Sequence, residues 1–338
     1  MKRRTYLLSR SGSLRRLNLI EEDVPPPGDQ EVAIDVKAIG LNFADIFSIL
    51  GLYRAAPRRN CVPGIEFSGI VTGKGKDVTG LRVNDRVMGS IRFGAYTTHI
   101  VIDHRYVLRL PDDWSTEEGA SFIVHSLTAY YALVSLGNLQ KGQTVLIHSG
   151  AGGVGLYANR IAKRFSAYTI GTVGSPSKLS FLKAQGYDEG IVRSRHFSKD
   201  LVAALNGRSL DLVLDSVGGR IQKQSFDMLT TTGRMVAYGL SHFTSHMATP
   251  NYLMLAWRYL RIPRYHTLRL IESNKSILGF NLIWLYDTAD QLKGLLSEIQ
   301  GLRLEKPFIG TTFPFEKLKD AVRSLQSGKT VGKVVVTV

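Results

Sequence analysis

A chain of 338 residues is long enough for two separate cores, since single cores rarely grow past about 250 residues, and its 44% hydrophobic and 21% charged residues are globular values that exclude a long disordered region. One cysteine, Cys61, excludes an internal disulfide and any zinc site built from two or more thiolates of this chain. The formal net charge of +15 fits an anionic ligand, nucleic acid, a lipid surface or a solvated exterior; the Lys and Arg residues are scattered and no nucleic-acid motif accompanies them, which favours the solvated exterior.

The basic first residues lack the apolar core of a signal peptide, because Arg10, Arg15 and Arg16 interrupt it, and no run approaches the roughly 18 uninterrupted apolar residues of a membrane span. A reducing, cytoplasmic location is the expectation. The first 110 residues read as short strands between Gly, Pro and Asp turns, for example residues 31–39, 67–72 and 96–101. Ser115 with Glu118 three residues on forms a capping box, which predicts a helix running to Leu136. From Gln143 the pattern becomes strand, Gly-rich turn, helix, strand, helix, with strands at 144–148, 168–172, 190–192, 212–215, 234–238 and 276–280. Six such strands predict a doubly wound parallel sheet. Residues 240–274 form an insert rich in aromatics and arginines, among them Trp257, Arg258, Tyr259, Arg261, Arg264 and Arg269. A substrate lid, a dimer contact, an interfacial membrane patch and a packed helical hairpin all fit it. A helix at about 316–327 and a strand at 330–338 close the chain, and that tail is expected to rejoin the N-terminal β domain.

Gly150, Gly152 and Gly155 stand in the G-x-G-x-x-G spacing, after an apolar β-prone run and before a helix-like stretch. That context predicts a dinucleotide site, because glycines let backbone N–H groups approach a pyrophosphate at a helix N-terminus. An NAD-selective site places a carboxylate about 20 residues on, at the end of the second strand. Here that place reads Gly174-Ser175-Pro176-Ser177-Lys178, without one. Ser175 and Lys178 offer a hydroxyl and a cation to a 2′-phosphate, and Arg193 is a second candidate, so NADPH is the expected cofactor. The alternative is that Lys178 is a solvated residue in a first helical turn.

Gly40-Leu41-Asn42-Phe43-Ala44-Asp45 with Gly51-Leu52-Tyr53, Pro63-Gly64-Ile65-Glu66-Phe67-Ser68-Gly69, Val83-Asn84-Asp85-Arg86-Val87, Leu127-Thr128-Ala129-Tyr130, the glycine loop, Asp215-Ser216-Val217-Gly218-Gly219 and Val331-Gly332-Lys333-Val334-Val335 follow one another in the chain, and in that order they resemble the quinone oxidoreductase group of the medium-chain dehydrogenases/reductases. The long insert, Gly279-Phe280-Asn281 and Phe313-Pro314-Phe315-Glu316-Lys317 look most like the VAT-1-like branch of that group. The resemblance implies an α/β fold: a GroES-like β domain from residues 1–124 and 275–338, and a Rossmann-type domain from 125–274. Zinc-dependent members use a Cys in the first motif and a His beside the Gly and Glu of the second. Asn42 and Ile65 stand near those places, so a metal-independent reaction is implied, with Glu66 as a buried hydrogen-bonding residue.

Without a metal, the chemistry left is hydride transfer to an electron-poor acceptor such as a quinone or an enone. By resemblance, Asn42 and Tyr53 lie near the nicotinamide and donate hydrogen bonds to the acceptor, or else only shape their loops. Asp45 caps a backbone N–H or acts beside them. Thr128 is expected at the nicotinamide phosphate, Gly152, Gly153 and Val154 at the pyrophosphate, Tyr238 and Gly239 along the ribose, and Phe280 with Lys333 at the nicotinamide end. His125 either protonates the reduced product or packs at the domain hinge. A homodimer is the expected assembly. The competing reading is a nucleotide-binding protein that works at membranes or on partners with little turnover.

Overall fold

The computed structural model describes residues 2–243 and 249–338. Strand Glu31–Gly40 is the spine of the first domain, with Val32, Ile34, Val36 and Ile39 all fully buried. It pairs antiparallel with Glu66–Lys74, with His99–Asp103 and with Lys333–Thr337, so a strand from the far end of the chain lies beside one from its beginning. Parallel pairing of Ile309–Pro314 with Lys333–Thr337 extends that sheet, and a separate three-stranded sheet joins Lys2–Arg10 to Leu17–Asp23 and Arg59–Cys61. Apolar side chains from these strands and from helix Leu318–Gln326 form one core.

The second domain carries six parallel strands in the order Glu189–Val192, Tyr168–Val173, Thr144–Ile147, Leu210–Asp215, Leu229–Ala237, Ser276–Gly279. The central Thr144–Ile147 is buried at every position, as a strand covered on both faces must be. Helices Ile123–Tyr130, Gly153–Arg164 and Ala289–Gly301 fill one face, and Phe197–Leu205 and Gly219–Asp227 the other. All six expected strands form within one to five residues of their expected ends.

Three expectations need correction. The domain boundary drawn at 275 is wrong: strand Ser276–Gly279 belongs to the parallel sheet, and helix Ala289–Gly301 buries Leu292, Leu296 and Ile299 in the same core as Ile123 and Leu127. The chain returns to the β domain only at Ile309–Pro314. The strand expected at 96–101 runs His99–Asp103 instead. The helix expected to reach Leu136 breaks after Thr116–Gly119, resumes at Ile123–Tyr130 and widens to a π-helix over Tyr131–Leu136. This interrupted run, 116–136, is long and apolar enough to span a membrane by composition, but 78% of its most apolar window is buried inside the protein. Its start is as expected: Ser115 Oγ accepts from Glu118 N at 3.2 Å and Glu118 Oε2 accepts from Ser115 N at 2.7 Å. Of the insert, residues 244–248 lie outside the described residues; the rest holds helices Tyr252–Leu260 and Thr267–Ser273.

Candidate functional site

The loops at the carboxyl ends of the parallel strands open onto a cavity of about 460 Å³ between the two domains, where open α/β sheets bind ligands. Ser149, Gly174, Arg193, Ser216, Tyr238 and Phe280 line it, one from the loop after each strand. The first loop turns through Ser149, held at φ +55°, and Gly152 then starts helix Gly153–Arg164 with no side chain capping it. The N–H groups of that first turn therefore have no intrahelical partner and face the cavity. Side chains are excluded here: a Cβ on Gly155 would sit 2.6 Å from Ser149 O, and one on Gly153 would sit 1.9 Å from the His125 ring.

At the end of Tyr168–Val173 no carboxylate appears. Arg193 bonds Thr172 O and Oγ1 at 3.2 and 3.0 Å, and its Nη2 lies 3.4 Å from where a Cβ of Gly174 would be. Lys178 reaches across to the other domain, donating to Gly328 O at 2.7 Å and Thr330 O at 2.6 Å. Burial, then the neighbouring Arg193, lowers its pKa. An uncapped helix N-terminus, glycines packed too tightly for any side chain and two cations without an acid fit a dinucleotide with a 2′-phosphate.

The other end of the cavity is mostly apolar, with Leu41, Phe47, Ile91, Leu282 and Ile283, and it holds Tyr53 and Asn281. Tyr53 donates its hydroxyl to Asn281 Oδ1 at 2.7 Å, and burial pushes its pKa up to about 12. Behind this wall lies a buried polar cluster. Lys333 Nζ donates to Glu66 Oε2 at 2.6 Å, Asn42 Oδ1 at 2.9 Å and His125 Nε2 at 3.3 Å, so the three ammonium protons meet three acceptors. Glu66 Oε1 accepts from Val124 N at 3.0 Å. Burial lowers the Lys333 pKa, against the pull of Glu66. Desolvation, then the Lys333 charge, drives His125 well below its ordinary value and keeps the ring neutral.

The residues expected in the site line this cavity except Asp45, Gly150, Ser175 and Lys333. Ser175 is turned into its own loop, accepting from Ser177 N at 3.4 Å and pairing with Ser177 Oγ at 2.8 Å. Lys333 stands behind Asn42 rather than in the cleft. Asn42 also departs from expectation: Nδ2 donates to Gly40 O at 3.0 Å and Glu66 Oε2 at 3.4 Å while Oδ1 is held by Lys333, so it has no donor left for an acceptor molecule. Asp45 does cap: its Oδ2 accepts from Asn42 N at 2.8 Å. Thr128 spends its hydroxyl proton on Val124 O at 2.7 Å. The sequence reading assigns no role to Asn281, although its Gly279-Phe280-Asn281 motif is visible there.

Comparison with known proteins agrees with this geometry. Residues 28–112 match the alcohol dehydrogenase GroES-like domain, and residues 185–336 match the domain described as zinc-binding dehydrogenase. The human synaptic vesicle membrane protein VAT-1 homolog is 30% identical over 315 residues, covering 92% of this chain and 80% of the relative. The chain belongs to the medium-chain dehydrogenases/reductases, in their zinc-independent quinone oxidoreductase and VAT-1-like group. Among solved structures of this family, a Pseudomonas syringae quinone oxidoreductase matches with a TM-score of 0.85 at 27% identity, covering 99% of this chain and 100% of that one. The Escherichia coli quinone oxidoreductase complexed with NADPH matches with a TM-score of 0.84 at 26% identity, covering 100% of both chains. The name of the second domain does not carry a metal into this medium-chain oxidoreductase. Glu66, the carboxylate nearest the zinc place of the family, is bonded to an ammonium, and among the described residues no three His, Cys, Asp or Glu converge.

Proposed function

We propose that the protein is an NADPH-dependent reductase that passes hydride to a quinone or an α,β-unsaturated carbonyl without a metal. The observation that carries this reading is the cavity itself: an uncapped helix start whose Gly153 and Gly155 admit no side chain, flanked by Lys178 and Arg193 at one end, and an apolar chamber holding Tyr53 and Asn281 at the other. Bound NADPH would supply the hydride. Arg193 and Lys178, with the Ser175 hydroxyl if its loop turns, receive the 2′-phosphate; Gly152, Gly153 and Val154 offer N–H groups to the pyrophosphate. Thr128, Tyr238, Gly239 and Phe280 line the path between the ends. Asn42, fixed by Lys333, shapes the chamber floor.

Tyr53 donates its hydroxyl to Asn281 Oδ1, which leaves the Asn281 Nδ2 protons for an acceptor oxygen that gains negative charge. Neither Tyr53, whose pKa stands at about 12, nor neutral His125 releases a proton readily near pH 7, so the final proton comes from solvent. Strand Ser276–Gly279 ends the sheet, and its outer edge is where a second copy is proposed to pair.

The test is NADPH oxidation against a panel of quinones and enones, with NADH in parallel. The expected result is turnover that prefers NADPH, and an Arg193→Met variant whose KM for NADPH rises by about tenfold or more, as loss of a charge-assisted bond implies, with a smaller change for NADH. Binding of NADPH with no turnover on any acceptor would favour the second reading, a partner- or membrane-directed nucleotide binder. One feature supports that reading: Leu253, Leu260 and Leu268 in the insert helices are 86%, 71% and 72% exposed beside Arg258, Arg261, Arg264 and Arg269. Salt-sensitive sedimentation with anionic vesicles would measure it.

A further inference from the structure

Residues 328–333 form a strap that runs the length of the cavity from the β domain. At one end Lys178 holds the carbonyls of Gly328 and Thr330. In the middle Gly332 N donates to Ala151 O at 2.8 Å and Gly332 pairs with Gly152 in a parallel bridge, so the strap lies on the glycine loop. Gly332 itself is at φ +60°, with Phe308 O only 2.4 Å from any Cβ, which leaves the strap no slack there. At the far end the next residue is Lys333, whose N donates to Phe308 O at 2.9 Å and whose ammonium sets Asn42, Glu66 and His125. His125 in turn packs against Gly153. One short peptide therefore joins the end where cations gather to the buried cluster behind the chamber wall.

We propose that Lys178 is a positioning residue for hydride transfer as well as a phosphate ligand: by holding two strap carbonyls it seats Lys333 and the wall behind the chamber, and a 2′-phosphate tightens that hold. This rests on the NADPH reading above. The chemistry is specific. An ammonium has three protons, and two are used on Gly328 O and Thr330 O, so an arriving phosphate oxygen supplies the third acceptor. A dianion beside Lys178 also offsets the burial and the Arg193 charge that weaken its cationic form. NADPH then orders the strap in a way that NADH, which lacks the phosphate, does not.

The experiment pairs turnover with amide hydrogen exchange of residues 328–336 in wild type, Lys178→Met and Lys178→Arg, with strand Thr144–Ile147 as the internal control for folding. In the unliganded protein the amides of Gly332 and Lys333 should exchange faster in Lys178→Met than in wild type while the control strand does not change. Saturating NADPH should slow them more than saturating NADH in wild type, and the difference should vanish in Lys178→Met. With NADH as donor, kcat should fall by at least about fivefold in Lys178→Met, the lower end of coupling between sites, with a smaller change in KM, and Lys178→Arg should recover part of it. Lys178→Met with wild-type NADH kcat and unchanged strap exchange would overturn the proposal and leave Lys178 a phosphate ligand alone. A wild type that turns over no acceptor would remove the reductase reading, yet strap exchange with and without each dinucleotide would still decide the clamp.

Discussion

Replacing Lys333 with Met tests the buried cluster most directly. The ammonium is 2% exposed and its Glu66 partner 0%, so the substitution strands a carboxylate whose remaining partners are the Val124 N–H and a long bond from Asn42. Removing one member of a buried ion pair costs about 3–5 kcal/mol, because the other charge is left without compensation. Removing both is far cheaper. In the double variant Lys333→Met with Glu66→Gln, the amide oxygen can still accept from Val124 N and the amide nitrogen can donate to Asn42 Oδ1. The expected cycle is a loss of about 3–5 kcal/mol for Lys333→Met and recovery of at least about half of it in the double variant, a coupling within the range known for contacting residues. Urea unfolding at pH 7, followed by a probe in each domain, measures it. A single-variant loss under about 1 kcal/mol, or a double variant as unstable as the two singles summed, would refute the view that the pair is mutually compensating.

Burial lifts Asp45 from 3.8 to about 7, so the folded protein keeps a proton that the unfolded chain releases. Stability should therefore fall as pH rises from about 4 through 7, by up to about 4 kcal/mol. Asp45→Asn lacks this loss, and the gap between its melting temperature and that of wild type should widen in its favour over that window; parallel profiles would contradict the assignment. Gly153→Ala drives a Cβ into His125 and should cost about 1–3 kcal/mol and weaken NADPH binding. His125→Ala in the same chain should restore both, and failure to rescue would show that the collision is not the cause. Because His125 is held neutral, turnover between pH 5 and 8 should show no limb that disappears in His125→Gln. Tyr53→Phe frees Asn281 Oδ1, and kcat should drop more than acceptor affinity; an unchanged kcat would remove the pair from the chamber's chemistry.

The parallel strands, the glycine loop and the capping box at Ser115 were legible because each is written in local periodicity and turn chemistry. The boundary at 275 was misplaced although the strand pattern already counts 276–280 in the parallel sheet: the resemblance supplies the boundary, and Ser276–Gly279, a half-covered edge strand with no fully buried position, is too weak a signal to move it. Cavity-lining residues on the loops after strands, such as Gly152, Tyr238 and Phe280, are reached by motif. The partners of Asn42 are not, since its fate depends on Lys333, 291 residues away, and on Glu66, whose own pairing with Lys333 spans 267 residues. Lys178 shows the same limit: its charge was visible, but its two carbonyl partners lie 150 and 152 residues along the chain. Long-range side-chain bonds leave no periodic trace in a single sequence.

The pairing of Lys333–Thr337 with Glu31–Gly40 bears on synthesis. A ribosome releases the nucleotide domain as one contiguous stretch, and domains of that kind fold as units while translation continues. The β domain, begun before the nucleotide domain, must wait for Lys333–Thr337 before its sheet is complete and before Glu66 meets its counter-ion. Strand Glu31–Gly40 is thus made before the nucleotide domain yet reaches its final pairing after it, and the wall behind the chamber closes only once the residues it serves have been built.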